Sequence, residues 1–295
     1  MVRAQQVVLE ETLGRAWLEA NVKRGSLHPA CERWRVCERF HKSGGRLRVP
    51  TELELAHSLM EVMADNLSLV QCSAGDIKSF SVGALANYGD AQVLRRLKKV
   101  LHHDTQFGDA LLELSCASWH LLNKHEVMAT EREGKPDLHI VIPGWSVPVF
   151  ADSKRVSART DNVIEGVIEK ANRQLRNSGV CEESQTGLGI VYIDVTLRLG
   201  VLDRERGDDV PVVVQEVTDL ILRRLYRHNR SVSAVVLLWR ERATGTDGKI
   251  PPLVSLLLLW RCLVIRHRRP HIALPANDAR VRVQGTVGLR VDTTR

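Results

Sequence analysis

Two β-like runs lie almost back to back near the middle of the chain, Pro136-Asp137-Leu138-His139-Ile140-Val141-Ile142 and Val147-Pro148-Val149-Phe150-Ala151-Asp152-Ser153-Lys154. Only Pro143-Gly144-Trp145-Ser146 separates them, and strands joined by so short a turn pair side by side. The start of the first run is then set against the end of the second, so Asp137 is expected close to Asp152. Side chains alternate along a strand, which puts Asp152 and Lys154 on one face and points Ser153 away from them. That face carries two carboxylates and an ammonium group.

Two neighbouring carboxylates repel unless something neutralises them. A hard divalent cation does so with oxygen ligands while leaving positions open for water and phosphate. Magnesium is the implied metal, with manganese as the alternative. Such an ion polarises a phosphoryl oxygen and lowers the pKa of bound water, and a nearby lysine orients that water or balances charge developing on phosphorus. The combination suits hydrolysis of a phosphodiester.

The acidic-x-Lys triplet is not specific by itself, since it recurs at Asp76-Ile77-Lys78, Glu133-Gly134-Lys135 and Asp247-Gly248-Lys249. The last two sit in glycine-containing turns, and the first follows Cys72-Ser73-Ala74-Gly75 with no strand pattern before it. Asp152 alone ends an apolar β-like run preceded by a Pro-Asp pair. Upstream, Phe107, Ala110, Leu111, Leu114, Ala117, Ser118, Leu121 and Leu122 recur at helical spacing, with Glu113 on the edge of the stripe. A short strand is expected around Val127 to Thr130. Downstream, Val163, Ile164, Val167, Ile168, Ala171 and Leu175 mark another helix, and Gly189 to Val195 a strongly apolar strand.

This order of helix, strand, Pro-Asp strand, Asp-x-Lys strand and helix resembles the core of the PD-(D/E)xK phosphodiesterase superfamily, the restriction-endonuclease-like nucleases. The resemblance covers about residues 105 to 240. It implies an α/β fold with a mixed central sheet flanked by helices. It also implies Asp137 and Asp152 as metal ligands, joined by the Ser153 backbone carbonyl, with Lys154 as the water-orienting or charge-stabilising group. Glu113 matches the acidic residue that members often supply from the preceding helix; Asp109, one turn earlier, is the alternative. Lys170 and Gln174 match the basic or amide side chain that sometimes faces the site from the following helix. For Glu113, Lys170 and Gln174 a solvated surface position is the competing reading.

The formal charge of +7 is unevenly spread. Eight arginines (261, 266, 268, 269, 280, 282, 290, 295) stand against Asp278 and Asp292 after residue 260, so nearly all the excess lies there. A near-neutral body with a basic C-terminal segment suits attachment to a polyanion, and equally a solubilising tail. The six cysteines (31, 37, 72, 116, 181, 262) form no Cys-x-x-Cys pair, which argues against a zinc ribbon or a disulfide framework. Met1 to Glu11 does not resemble a signal peptide, and the longest apolar run, from Leu253 past Arg261, is too short and interrupted to span a bilayer. A cytoplasmic protein with no membrane partner is expected.

Three regions are expected: a helical N-terminal region over 1–104, the nuclease-like α/β domain over 105–275, and a loosely ordered basic tail over 276–295. In the first, Val8, Leu9, Leu13, Ala16, Trp17 and Ala20 form one stripe and Ala30, Trp34, Cys37 and Phe40 a second. Thr51-Glu52-Leu53-Glu54 fits a capping box opening a third helix, and a fourth covers about Val82 to Leu101, ending at a charged His102-His103 terminus. In the second, a helix from about Val213 to His228 is followed by strands over Val232 to Trp239 and Leu253 to Ile265. Phosphate-loop, dinucleotide-binding, nucleophile-elbow and His-Glu-x-x-His patterns are absent. The expectation is a magnesium-dependent deoxyribonuclease, an endonuclease of restriction, phage defence or mobile-element processing, with RNA as a further substrate and a homodimer left open. The alternatives are a catalytically inactive nucleic-acid-binding or assembly protein of the same fold, and a scaffold without nucleic acid.

Overall fold

The computed structural model describes residues 6–7, 9–42, 70–73, 76–79, 99–122, 125–130, 134–157, 160–180, 187–200, 202–203, 210–228, 230–244 and 256–266. The helix expected from Pro50, most of that from Val82 to Leu101, and the tail over 276–295 lie outside the described residues. Those that are described fall into two compact units, one within Met1–Ser118 and Glu241–Leu259, the other within Trp119–Arg240 and Trp260–Gly285.

In the first unit a π-helical turn, Glu10–Gly14, runs into α1 (Arg15–Lys23), and α2 (Pro29–Lys42) follows. The single stripe expected from Val8 to Ala20 is broken here. Gly14 adopts φ 87°, a conformation that only glycine takes at little cost, and the buried positions step from Leu13 to Leu18 while Ala16 is exposed. α2 buries Ala30, Cys31, Trp34, Val36 and Cys37, as its apolar spacing requires. His102 follows the end of its helix, as expected, and makes contacts of its own: its ring stands edge-on to Trp17 at 4.8 Å, and its Nε2 lies 3.2 Å from the Leu13 carbonyl oxygen. His28 bridges Trp17 and Phe107 by further edge-on contacts, and the Arg33 guanidinium sits over the Phe107 ring.

The first hundred residues are not wholly helical. Strands β1 (Val70–Ser73) and β2 (Asp76–Ser79) pair antiparallel, with Ser73 opposite Asp76. Only Ala74-Gly75 separates them, a two-residue interval that favours a hairpin. The Asp76-Ile77-Lys78 triplet therefore does lie on a strand.

α3 (Asp104–Leu122) begins in the first unit and ends in the second, burying Phe107, Ala110, Leu111, Cys116 and Ala117. After α3 the chain forms β3 (Glu126–Ala129), β4 (Leu138–Val141), β5 (Val149–Arg155), α4 (Asp161–Asn177), β6 (Leu188–Asp194), the short α5 (Thr196–Leu199), β7 (Leu202–Asp203) and α6 (Val212–His228), all within the second unit, and then β8 (Ala234–Thr244) and β9 (Leu256–Arg266), each of which belongs only in part to that unit. The sheet order is β3-β4-β5-β6-β8-β7, with β9 also paired to β8. β3, β4 and β5 are mutually antiparallel, whereas β5, β6 and β8 run parallel and are linked through helices. This is a mixed α/β sheet.

Register and alternation decide which side chains meet α4. Ile164, Ile168, Ala171 and Leu175 of α4 share a core with Val191, Ile193 and Val195 of the β6 segment, Val235 and Leu237 of β8, and Val214, Val217 and Ile221 of α6. Gly189 lets the chain close at this point, because a Cβ there would stand 2.0 Å from the Ser231 carbonyl oxygen. Asp152 pairs with Val191 and Lys154 with Ile193, so both project from the face that α4 covers. Ser153 pairs with Tyr192, on the other face.

Candidate active site

Asp137 immediately precedes β4, where Leu138 pairs with Ala151 in the antiparallel register. Carried one residue outward, that register sets Asp137 opposite Asp152. The Asp137 carbonyl accepts a hydrogen bond from the Thr130 N–H (2.8 Å), so it faces β3 rather than β5. Asp137 and Asp152 thus occupy a non-hydrogen-bonded cross-strand position, the kind in which Cα atoms lie about 4.5 Å apart and side chains approach most closely.

The four carboxylate oxygens have different surroundings. Asp137 Oδ2 accepts from both the Ser153 backbone N–H and its hydroxyl, each at 2.7 Å. Ser153 does not simply point away, as alternation alone predicts; beyond the end of the β4 pairing its N–H is open, and the aspartate takes it. Asp152 Oδ1 accepts from Lys154 Nζ at 2.6 Å. Asp152 Oδ2 is buried and has no hydrogen-bond partner. Asp152 is fully buried, Asp137 half-buried, and the Lys154 side chain 17% exposed. The pair is therefore reached from the side of Asp137 and Lys154.

Burial, reinforced by the neighbouring Asp137 charge, pushes the Asp152 carboxyl up to about 7, against the opposing pull of Lys154. Asp137 also lies where it can accept a hydrogen bond from a protonated Asp152. The orphan oxygen can thus be satisfied in two ways, by a proton shared with Asp137 or by a cation. Hard oxygen donors, a net negative pair and an unpartnered buried oxygen fit magnesium or manganese, which take one or two carboxylates and complete their shells with water and phosphate. Among the described residues no group of three or more His, Cys, Asp and Glu side chains is placed to hold a metal ion.

The remaining expected residues lie on α3 and α4. Glu113 is half-buried on α3, within the first unit, and Asp109 is exposed there. Lys170 is exposed on α4. Gln174 donates from Nε2 to the Lys135 carbonyl oxygen (2.9 Å), so it grips the turn before Asp137. Thr130 adds a hydrogen bond from Oγ1 to the Pro136 carbonyl. Neither contact is legible from periodicity, because both end on backbone oxygens that every residue carries.

A second polar cluster lies on the opposite sheet face. His120, in the last turn of α3, places Nε2 2.7 Å from the Tyr192 hydroxyl and Nδ1 2.9 Å from His125 Nδ1. Burial drives the His120 imidazole down to about 3, so it is neutral at ordinary pH. Further along β6, Asp194 is buried, accepts from the Thr196 N–H (2.9 Å) and lies 3.5 Å from Arg155 Nε. Burial raises its carboxyl above the usual range, with Thr196 and Arg155 opposing.

Compared with known proteins, the chain matches no family model, and no curated protein or solved structure is significantly similar to it. No described helix is long and apolar enough to cross a membrane.

Proposed function

We propose that the second unit is a metal-dependent phosphodiesterase of the PD-(D/E)xK type that hydrolyses DNA. The observation that carries this reading is the meeting of Asp137 and Asp152 at the end of two antiparallel strands, with Lys154 2.6 Å from one carboxylate and one buried carboxylate oxygen unpartnered. Asp137 and Asp152 would hold the cation. When bound, magnesium supplies positive charge against a phosphoryl oxygen and so eases attack on phosphorus. Ser153 fixes the orientation of Asp137 through two hydrogen bonds to one oxygen, and the other oxygen would serve the cation. Lys154 is the only ammonium group bonded to the pair among the described residues, and balances charge that builds on the phosphate. The basic segment after residue 260 supports a polyanionic substrate.

A second reading keeps the fold without turnover, as a nucleic-acid-binding or assembly protein. It is favoured by the complete burial of Asp152 and by the lack of a third acidic or histidine ligand among the described residues. Cleavage of plasmid DNA with and without magnesium separates the two. Under the first reading wild type cuts only with the ion, and Asp152→Ala and Lys154→Ala do not cut.

A further inference from the structure

Four consecutive carbonyl oxygens leading into Asp137 each accept a hydrogen bond from outside their own segment. Gly134 accepts from Asn177 Nδ2 (3.3 Å), Lys135 from Gln174 Nε2 (2.9 Å), Pro136 from Thr130 Oγ1, and Asp137 from the Thr130 N–H (2.8 Å). Surface connections ordinarily leave such groups to water. Here one side of the segment is held from the end of β3 and the other from α4. Gln174 and Asn177 are three residues apart, so they project from neighbouring positions on one side of the helix. Their helix is itself fixed by four fully buried side chains, Ile164, Ile168, Ala171 and Leu175.

The Gln174 amide has one workable orientation. With Nε2 on the Lys135 carbonyl, its Oε1 is buried without a hydrogen-bond partner. Turned over, it would set two oxygens against each other and leave the NH2 group unpaired, which is worse. The side chain tolerates an unsatisfied oxygen in order to hold that carbonyl.

We infer that Gln174, seconded by Asn177, is a positioning residue for Asp137. It anchors the 134–136 segment to α4, so that the Asp137 carboxylate stays on Ser153 and opposite Asp152. The functional weight of this inference rests on the metal-site reading, but the positioning itself is measurable without metal. The reporter is the Ser153 amide, whose N–H is bonded to Asp137 Oδ2.

The experiment is amide hydrogen exchange on the full-length, metal-free protein, alongside Mn²⁺ titration, for wild type, Gln174→Ala and Asn177→Ala. Exchange at Ser153 is expected to quicken several-fold in Gln174→Ala and less in Asn177→Ala, with the Ile164–Leu175 amides unchanged. The Mn²⁺ half-saturation point is expected to rise about tenfold, the usual scale for losing an outer support of a metal ligand. Unchanged Ser153 exchange in both variants overturns the inference even where wild type binds Mn²⁺. Faster Ser153 exchange alongside a wild type that takes up no Mn²⁺ upholds the positioning role and contradicts the metal reading. If Gln174→Ala does not fold, Asn177→Ala decides, because Asn177 is exposed and its truncation leaves the core intact.

Discussion

Asp137 and Asp152 stand opposite each other at the end of the β4–β5 pair, yet only Asp137 is held by donors from the backbone and side chain of a neighbour. Asp152 has Lys154 on one oxygen and nothing on the other. This asymmetry places the group that must gain a proton or a cation inside the protein, beside one that is already fixed.

A pH dependence follows from it. The Asp152 carboxyl is raised from 3.8 to about 7, so its protonated form stabilises the fold below pH 3.8, and that contribution is lost as pH climbs towards 7. Thermal melts of Asp152→Asn, in which a neutral amide replaces the carboxyl, should show a gain over wild type at pH 8 that shrinks at pH 5. Magnesium should stabilise wild type more at pH 8 than at pH 6, because protons compete for the same oxygens.

Lys154 neutralises a buried charge, and its removal is expected to depend on pH as well. Lys154→Met should cost about 3 kcal/mol at pH 8, the scale for stranding one member of a buried ion pair. The cost should fall below pH 6, where Asp152 accepts a proton instead. Chemical denaturation at the two pH values measures the difference.

On the other face, His120 is held neutral between Tyr192 and His125. Its value is lowered from 6.5 to about 3, so the stability it contributes is complete above pH 6.5 and is lost as pH falls towards 3. Stability of His120→Leu should therefore decline less steeply than that of wild type across this acid range. Tyr192→Phe, which leaves His120 Nε2 without the hydroxyl, should cost about 1–3 kcal/mol at neutral pH.

Gly189 tests the packing of β6 against the segment before β8. An added methyl would meet the Ser231 carbonyl at 2.0 Å, a backbone atom that cannot swing aside. Gly189→Ala should destabilise by about 3 kcal/mol or more, read from denaturant midpoints.

Much of the second unit was legible because its signals are periodic. The α4 residues Ile164, Ile168, Ala171 and Leu175 recur at helical spacing and are all buried, and β6 reads as a continuous apolar strand because both its faces are covered. The approach of Asp137 to Asp152 was likewise legible, since a short turn between two runs leaves few registers. The position of Gln174 on α4 suggests a side chain facing the site, but its amide NH2 is spent on the Lys135 backbone carbonyl. The Ser153 hydroxyl was missed because alternation describes a strand inside a sheet, and Ser153 lies where its partner strand has ended. In the first unit the break at Gly14 and the hairpin after Val70 escaped for a related reason: a single glycine or a two-residue interval redirects the chain while hardly altering the hydropathy pattern.

The most direct measurement is cleavage of supercoiled plasmid by the full-length protein in magnesium, compared with chelator and with Asp137→Ala and Asp152→Ala. The account predicts nicked or linear product from wild type with magnesium alone, and none from either variant. Equal cutting by the variants, or none by a folded wild type supplied with magnesium or manganese, would contradict it.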